Sequence, residues 1–302
     1  MGQARVKEFS VGGRKFEGLE FLVAPFDDMP PVFGTKHFDF LFGAPLYERN
    51  VVIADYIAKT LTVRDPDSFA YKGSGTVLHI ERPQSIPVIE AKLDGVAGRF
   101  GVDTGARSAM ILYGPFAAKN KLAEKYDAHV EGVTGWGLGG PVRSLLARAK
   151  SLQMGDTSVQ DIVIRLSTQK GGLTTGSSMD GLIGPDVLKQ FMVTFDYSRK
   201  QMILEKNANY GKRDTWDRLG AWLGQQGDHF VVIDVIEGSA AAKGGLKKDD
   251  EVLAVNGKPA AGYVLPELRA QMRTLAPGTK LKMLVRSAGK EREMEFTLAD
   301  LV

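Results

Sequence analysis

Cysteine is absent from the 302 residues, which excludes thiol nucleophiles, disulfides and thiolate metal sites. Histidine is scarce. His37, His79, His129 and His229 are scattered without metal-ligand spacing and without a nucleophile motif beside them, so each reads as a surface or packing residue. No metal and no cofactor is expected. An excess of one charge is also missing: the formal net charge is +3 and no Lys/Arg block occurs, which argues against a nucleic-acid partner. No apolar run reaches the length of a membrane span, and Met1–Arg5 has no apolar signal core. What remains is ordinary for a globular chain, with 43% hydrophobic and 25% charged residues. The length suffices for two or three domains, and 35 glycines favour a β-rich architecture of tight turns.

The chemistry concentrates at Arg99-Phe100-Gly101-Val102-Asp103-Thr104-Gly105-Ala106. Ahead of it, Pro87–Leu93 alternates as a half-buried strand, and Asp94-Gly95 turns the chain into a second strand that ends on the carboxylate. Such a turn can hold Asp103 in a cleft with the Thr104 hydroxyl and the Gly105 amide in reach, where a carboxyl group is readily perturbed. Alone, Asp-Thr-Gly is equally a surface β-turn. Downstream come the glycine-rich hairpin tip 132–140, then Asp180-Gly181-Leu182-Ile183-Gly184, a Pro185-led helical turn and a strand ending Phe195-Asp196-Tyr197. In that order these motifs resemble the retropepsin-like aspartic proteases over about residues 84–208. The resemblance implies Asp103 as a catalytic acid held by Thr104 and Gly105. It also implies substrate contacts from Ala106 and from a flap of Gly135, Trp136 and Gly137. Trp136 reads equally as an apolar staple of an ordinary hairpin. Asp180 reads as a turn residue and Asp196 as a strand-end residue.

An internal repeat organises the first half. Ala4–Lys7 through Gly12 recurs at Ala147–Lys150 through Gly155, 143 residues on, whereas Asp39–Gly43 and Asp55-Tyr56 recur 141 residues on at Asp180–Gly184 and Asp196-Tyr197. Residues 1–68 thus read as the second half of a lobe whose complete copy lies within 69–208. On that reading the copy of Asp-Thr-Gly is missing ahead of Met1, as in a truncated or processed chain, the favoured expectation, or in a gene that begins late. The stretch 64–86 carries interlobe turn signals with a strand at 76–80. Pro115–Tyr126 reads as one helix.

From 209 to 302 the pattern changes. A strand Phe230–Val235, a short helix from Gly238, the run Gly244–Gly257 with its Asn-Gly hairpin, a helix Leu265–Leu275 and two closing strands resemble a bacterial PDZ domain. Asp249 stands where that family usually has glycine. The resemblance implies a carboxylate-binding loop at Leu219, Gly220, Ala221 and Trp222, with Leu268 and Met272 on the helix walling a groove for a peptide C-terminus. Those apolar residues are also natural core fillers.

The expected fold is therefore mainly β: retropepsin-like lobes, the first incomplete, followed by a PDZ domain of α+β type. The expected function is an aspartic endopeptidase whose PDZ module binds protein C-terminal tails. Its dyad would need a second Asp from the missing lobe or from a homodimer pairing two Asp103 residues. The alternatives are a catalytically inactive peptide-binding scaffold and a self-cleaved fragment with a cut near Gln3-Ala4. Similar protease–PDZ chains are exported, so a periplasmic or extracellular home is expected.

Overall fold

The computed structural model describes residues 2–23, 43–82, 86–137 and 140–302. Strands β1 (Gly2–Val11) and β2 (Arg14–Val23) form an antiparallel hairpin turning at Gly12 and Gly13. Helix α1 (Ala44–Glu48) leads into a second hairpin, β3 (Val51–Asp55) and β4 (Thr60–Arg64). The repeat members Asp39–Phe42 lie outside the described residues. Next come β5 (Thr76–His79), β6 (Val88–Leu93), β7 (Val96–Val102) and β8 (Met110–Leu112). Helices α2 (Gly114–Lys119) and α3 (Leu122–Lys125) precede β9 (Val130–Gly137), β10 (Gly140–Met154), β11 (Thr157–Ser167) and β12 (Gly181–Ile183). Helix α4 (Pro185–Leu188), β13 (Phe191–Asp196) and β14 (Gln201–Lys206) follow.

The pattern over 115–126 predicts one helix. Instead the chain breaks between α2 and α3 at Lys121, which sits in the left-handed region at φ 50°. Asn120 caps the first piece, its side-chain amide donating to the Phe116 carbonyl at 2.9 Å, a local competition with helical geometry that favours termination.

Seven strands form one sheet in the order β11-β8-β12-β7-β6-β10-β9, and β10 also pairs with β11, so the sheet curls back on itself. Alternation drives this. In β6 the side chains of Ile89, Ala91 and Leu93 are buried while Glu90 and Lys92 are exposed. The core inside holds Phe100, Leu112, Leu152, Ile162, Ile183, Phe191 and Phe195, each at most 1% exposed. Burying each such side chain contributes about 1.5–3 kcal/mol.

A second sheet, β4-β3-β13-β14-β5, joins the two repeat copies. The pairing is two-fold in form: Ile53 faces Thr194, its own repeat equivalent, and Val52 and Ala54 face Phe195 and Val193. Both hairpins turn through a left-handed lysine, Lys59 (φ 57°) and Lys200 (φ 52°). Each is anchored by its strand-end carboxylate. Asp55 accepts from the amides of Ile57 and Ala58, and Asp196 from the amide and side chain of Arg199.

The C-terminal sheet runs β15-β16-β17-β19-β20, with β15 (Ala221–Gln226) at its edge. Its other strands are β16 (His229–Val235), β17 (Glu251–Val255), β19 (Lys280–Ser287) and β20 (Lys290–Thr297), and the short β18 (Lys258–Pro259) pairs with β17. Helices α5 (Ala240–Lys243) and α6 (Leu265–Thr274) complete it. Asn256 and Gly257, at φ 48° and 77°, make the two-residue turn that Asn-Gly favours. Asp249 takes φ 69° and its amide donates to the Val232 carbonyl at 2.8 Å, so an aspartate accomplishes the turn expected of glycine. This sheet has its own apolar core, built on Leu223, Phe230, Val252, Met272 and Phe296.

Candidate active site and peptide groove

Asp103 follows β7 directly, and its position is set by an unusual strand crossing. β12 slots between β7 and β8, parallel to the first and antiparallel to the second. The chain from 103 to 109 therefore loops over the end of β12. The Asp103 amide donates to the Ile183 carbonyl at 2.9 Å, and the Gly184 amide to the Ala109 carbonyl at 2.9 Å. Glycine is needed at both ends of β12. A Cβ on Gly181 would lie 2.2 Å from the Ile111 carbonyl oxygen, and one on Gly184 2.3 Å from that of Ser108. Between them Ile183 is fully buried under the loop. Asp180 is structural in this geometry, its carboxylate accepting the Arg99 amide at 2.8 Å.

The loop presents Thr104 and Gly105 to solvent, with Asp103 and Ala106 half-buried. One Asp103 oxygen accepts the Gly105 amide at 2.8 Å. Among the described residues no hydrogen bond or ion pair joins a second carboxylate to it. Two tyrosines that sequence reasoning passed over stand close by. Tyr113 is fully buried with no partner for its hydroxyl among the described residues; burial and the Asp103 charge push its pKa up to about 12. Tyr47, from α1 of the other repeat copy, packs on Phe195 and Tyr197 and hydrogen-bonds the Thr104 side chain. Burial raises its pKa, and that bond only partly offsets the rise.

Gly135, Trp136 and Gly137 lie at the end of β9, half-buried, facing Val142, Pro141 and Gly140 across the hairpin. Arg165 ties this hairpin to the Asp103 loop. Its guanidinium donates to the carbonyl of Thr134 at 2.5 Å and to that of Arg107. Burial lowers its pKa to about 9, and the neighbouring Arg273 charge adds to the effect. Nothing in the sequence pattern marks Arg165.

The C-terminal sheet docks against the base of the same hairpin. Asp234 on β16 accepts the Val133 amide at 2.7 Å and an Arg143 guanidinium N–H at 3.1 Å. On the other flank Arg273 of α6 binds Asp186 at 2.9 Å and Asp214 at 3.2 Å.

In the expected carboxylate loop Leu219, Gly220 and Ala221 are buried and Trp222 is half-buried. Gly220 has φ 73°, and a Cβ there would meet Ser239 at 2.3 Å. The loop amides are engaged: those of Leu219 and Gly220 both donate to Asp217 Oδ1, at 2.9 and 2.8 Å. Burial drives the Asp217 pKa up to about 6 in spite of these bonds. Leu268 and Met272 both belong to the core of this sheet. It is Arg269, between them on α6, that faces Trp222 at 4.8 Å and donates to the Leu223 carbonyl on edge strand β15.

Residues 212–286 match the PDZ domain family. The chain is 42% identical over 67 residues to the periplasmic pH-dependent serine endoprotease DegQ of Escherichia coli, covering 22% of this chain and 14% of the relative. It is 34% identical over 71 residues to a probable periplasmic serine endoprotease, DegP-like, of Chlamydia trachomatis, covering 24% and 14%. It is 25% identical over 84 residues to the carboxy-terminal processing protease CtpB of Bacillus subtilis, covering 28% and 17%. The matches thus span only 14–17% of the length of these relatives. Among solved structures the chain is similar to a retropepsin-like aspartic protease from Rickettsia conorii, at 22% identity, 45% of this chain, 96% of that one and TM-score 0.31. It is also similar to the EIAV protease complexed with the inhibitor HBY-793, at 17% identity, 36% of this chain, 90% of that one and TM-score 0.27. The chain is mainly β, and residues 212–286 carry the PDZ match.

Proposed function

We propose that this chain is an aspartic endopeptidase whose PDZ domain selects substrates by their C-termini. The observation that carries the reading is the Asp-Thr-Gly loop itself. A strand-end carboxylate projects over an inserted β12, oriented by the Gly105 amide and fixed by backbone bonds to Ile183. Hydrolysis by this chemistry needs two carboxylates sharing one proton. The ionised one takes a proton from water as that water attacks the peptide carbonyl, and the protonated one donates to the carbonyl oxygen. One chain brings Asp103, and a second copy brings its own across a two-fold axis, so the active unit on this reading contains two loops. The hairpin tip at Gly135–Gly137 covers the bound peptide. The periplasmic relatives support export as its setting.

A second reading, a peptide-binding scaffold without catalysis, is favoured by one observation. Thr104, beside the candidate acid, is already engaged within the chain by Tyr47. Peptidase assays on a mixed peptide library between pH 3 and 7 decide between the two. On the protease reading cleavage follows a bell-shaped pH profile, disappears with Asp103→Asn and rises with the square of chain concentration at low concentration. Cleavage that persists in Asp103→Asn sinks the Asp103 mechanism, and none at any concentration sinks the protease reading and leaves the scaffold.

A further inference from the structure

A cavity lies where the PDZ domain meets the protease-like sheet, lined among others by Arg107, Arg165, Trp216, Asp217, Trp222 and Arg269. Its hydrogen-bonding capacity is unbalanced. Asp234 on its wall is paired with Arg143, and Arg273 with Asp186 and Asp214. Arg165 is 5% exposed; its guanidinium donates to two backbone carbonyls and lies over the Trp216 ring at 4.8 Å, no salt bridge to it is found among the described residues, and its Nε has no partner among them. The Arg107 guanidinium has no hydrogen bond or ion pair among the described residues; its contact is the Trp222 ring at 6.0 Å. The indole N–H groups of Trp216 and Trp222 are buried without acceptors among the described residues. Donors are thus in surplus, two of them cationic, and the buried ones left unmatched, the Arg165 Nε and the two indole N–H groups, are costly. An anion that enters the cavity removes that cost.

The adjoining geometry identifies the anion. β15 is the sheet edge beside α6 and begins at this cavity, with Ala221 and Trp222 on its wall. A peptide added alongside β15 would bring its end there. The usual receptors of such an end, the Leu219 and Gly220 amides, are already occupied by Asp217. Resting on the PDZ reading above, we propose that the peptide's terminal carboxylate is seated by Arg107 and Arg165, so that the protease-like sheet completes the PDZ ligand site. Arg107 stands four residues after Asp103, and Arg165 holds the Arg107 carbonyl. The seat is therefore built on the loop that carries the candidate catalytic acid. Arg107 is exposed, which leaves it accessible to an incoming chain.

The test is affinity selection from a pool of random hexapeptides with free C-termini against the full chain, followed by calorimetric titration of the selected peptide. Arg107→Gln should weaken binding about 10-fold or more, as for a lost charge-assisted bond, with Arg107→Lys in between. Amidating the peptide terminus should cost the wild-type chain a similar factor but cost Arg107→Gln little, because both changes remove one interaction. Equal binding by Arg107→Gln, or an undiminished effect of amidation in that variant, overturns the seat while leaving PDZ recognition standing. A loss on neutralising internal acidic side chains of the peptide, but not its terminus, also overturns it by assigning the carboxylate to a side chain. A pool that yields no binder to the wild-type chain overturns the PDZ reading and the seat together.

Discussion

Replacing Arg273 by methionine removes the cation that bridges α6 to Asp186 on α4 and to Asp214 while keeping much of its aliphatic volume. Arg273 donates to Asp186, to Asp214 and to the Thr215 carbonyl, and the two carboxylates are 11% and 2% exposed. Solvent screens this cluster little. Burial disfavours the Asp186 charge, but Arg273 and Lys189 outweigh it and hold the carboxyl below its usual range. Asp214 is already raised by burial and by the Asp186 charge. After the substitution Asp186 keeps Lys189 at 2.7 Å, so Asp214 becomes the uncompensated group. Breaking a buried pair on one side costs about 3–5 kcal/mol. The low end applies here, because the Val163 and Thr215 amides still donate to Asp214.

The pH dependence follows from the same geometry. With Arg273 gone the folded-state pKa of Asp214 rises further above its unfolded value. The folded chain then holds the extra proton, and stability grows as pH falls. Urea unfolding of Arg273→Met should therefore show a loss of about 3 kcal/mol at pH 8 that shrinks toward pH 4.5. A loss below about 1 kcal/mol, or one constant across that range, would refute the account of the cluster.

Asp217→Asn keeps an oxygen for the Leu219 and Gly220 amides but removes a buried charge. Asp217 has a folded pKa near 6, above its unfolded value, so its ionised form burdens the fold above pH 6 and the burden lifts as pH falls through that value. The variant should gain stability at pH 7.5 relative to the wild-type chain, with the difference vanishing near pH 4, by urea midpoints. It should also bind the selected free-carboxylate peptide several-fold more tightly, since Arg107 of the proposed seat then faces no competing anion on this side chain. Gly184→Ala forces a methyl against the Ser108 carbonyl and should cost about 1–3 kcal/mol in thermal or chemical melts. Any peptidase activity dependent on Asp103 should fall more steeply than stability does.

How much of this was legible in the sequence depends on whether the signal was local. The alternation of 87–93, the Asp94-Gly95 turn and the strand end at Asp103 were readable because each is fixed within a few residues. The likeness of the hairpins at Asp55 and Asp196 was readable because both obey the same local rules, down to the left-handed lysines 59 and 200. The break at Lys121 was not readable, since lysine carries no preference for that conformation and the Asn120 cap competes with a helical pattern. Helical spacing marked Leu268 and Met272 but could not say which side of α6 met the core, and the core took both. Arg107, Arg165, Trp222 and Asp217 meet only through the docking of one sheet on another, and no periodicity connects residues so far apart.

That docking also constrains how the hairpin over the candidate site moves. Asp234 grips the Val133 amide and the Arg143 side chain, and Ile236 packs where a Cβ on Gly132 would stand. The base of β9 and β10 is therefore fixed to the PDZ domain, and Arg165 holds Thr134 just beyond it. On the protease reading, admitting a peptide requires bending past these anchors, at Gly135 and Gly137, where no such bond to the PDZ sheet is found among the described residues and glycine tolerates the backbone change. A ligand seated on Arg165 pulls on the carbonyls of Thr134 and Arg107 at once, the hairpin on one side and the Asp103 loop on the other. Occupancy of the PDZ groove and closure over the site then share one guanidinium, and their coupling is reciprocal: a peptide-mimetic inhibitor held at Asp103 should raise the affinity of the PDZ ligand by the factor that the ligand raises its own.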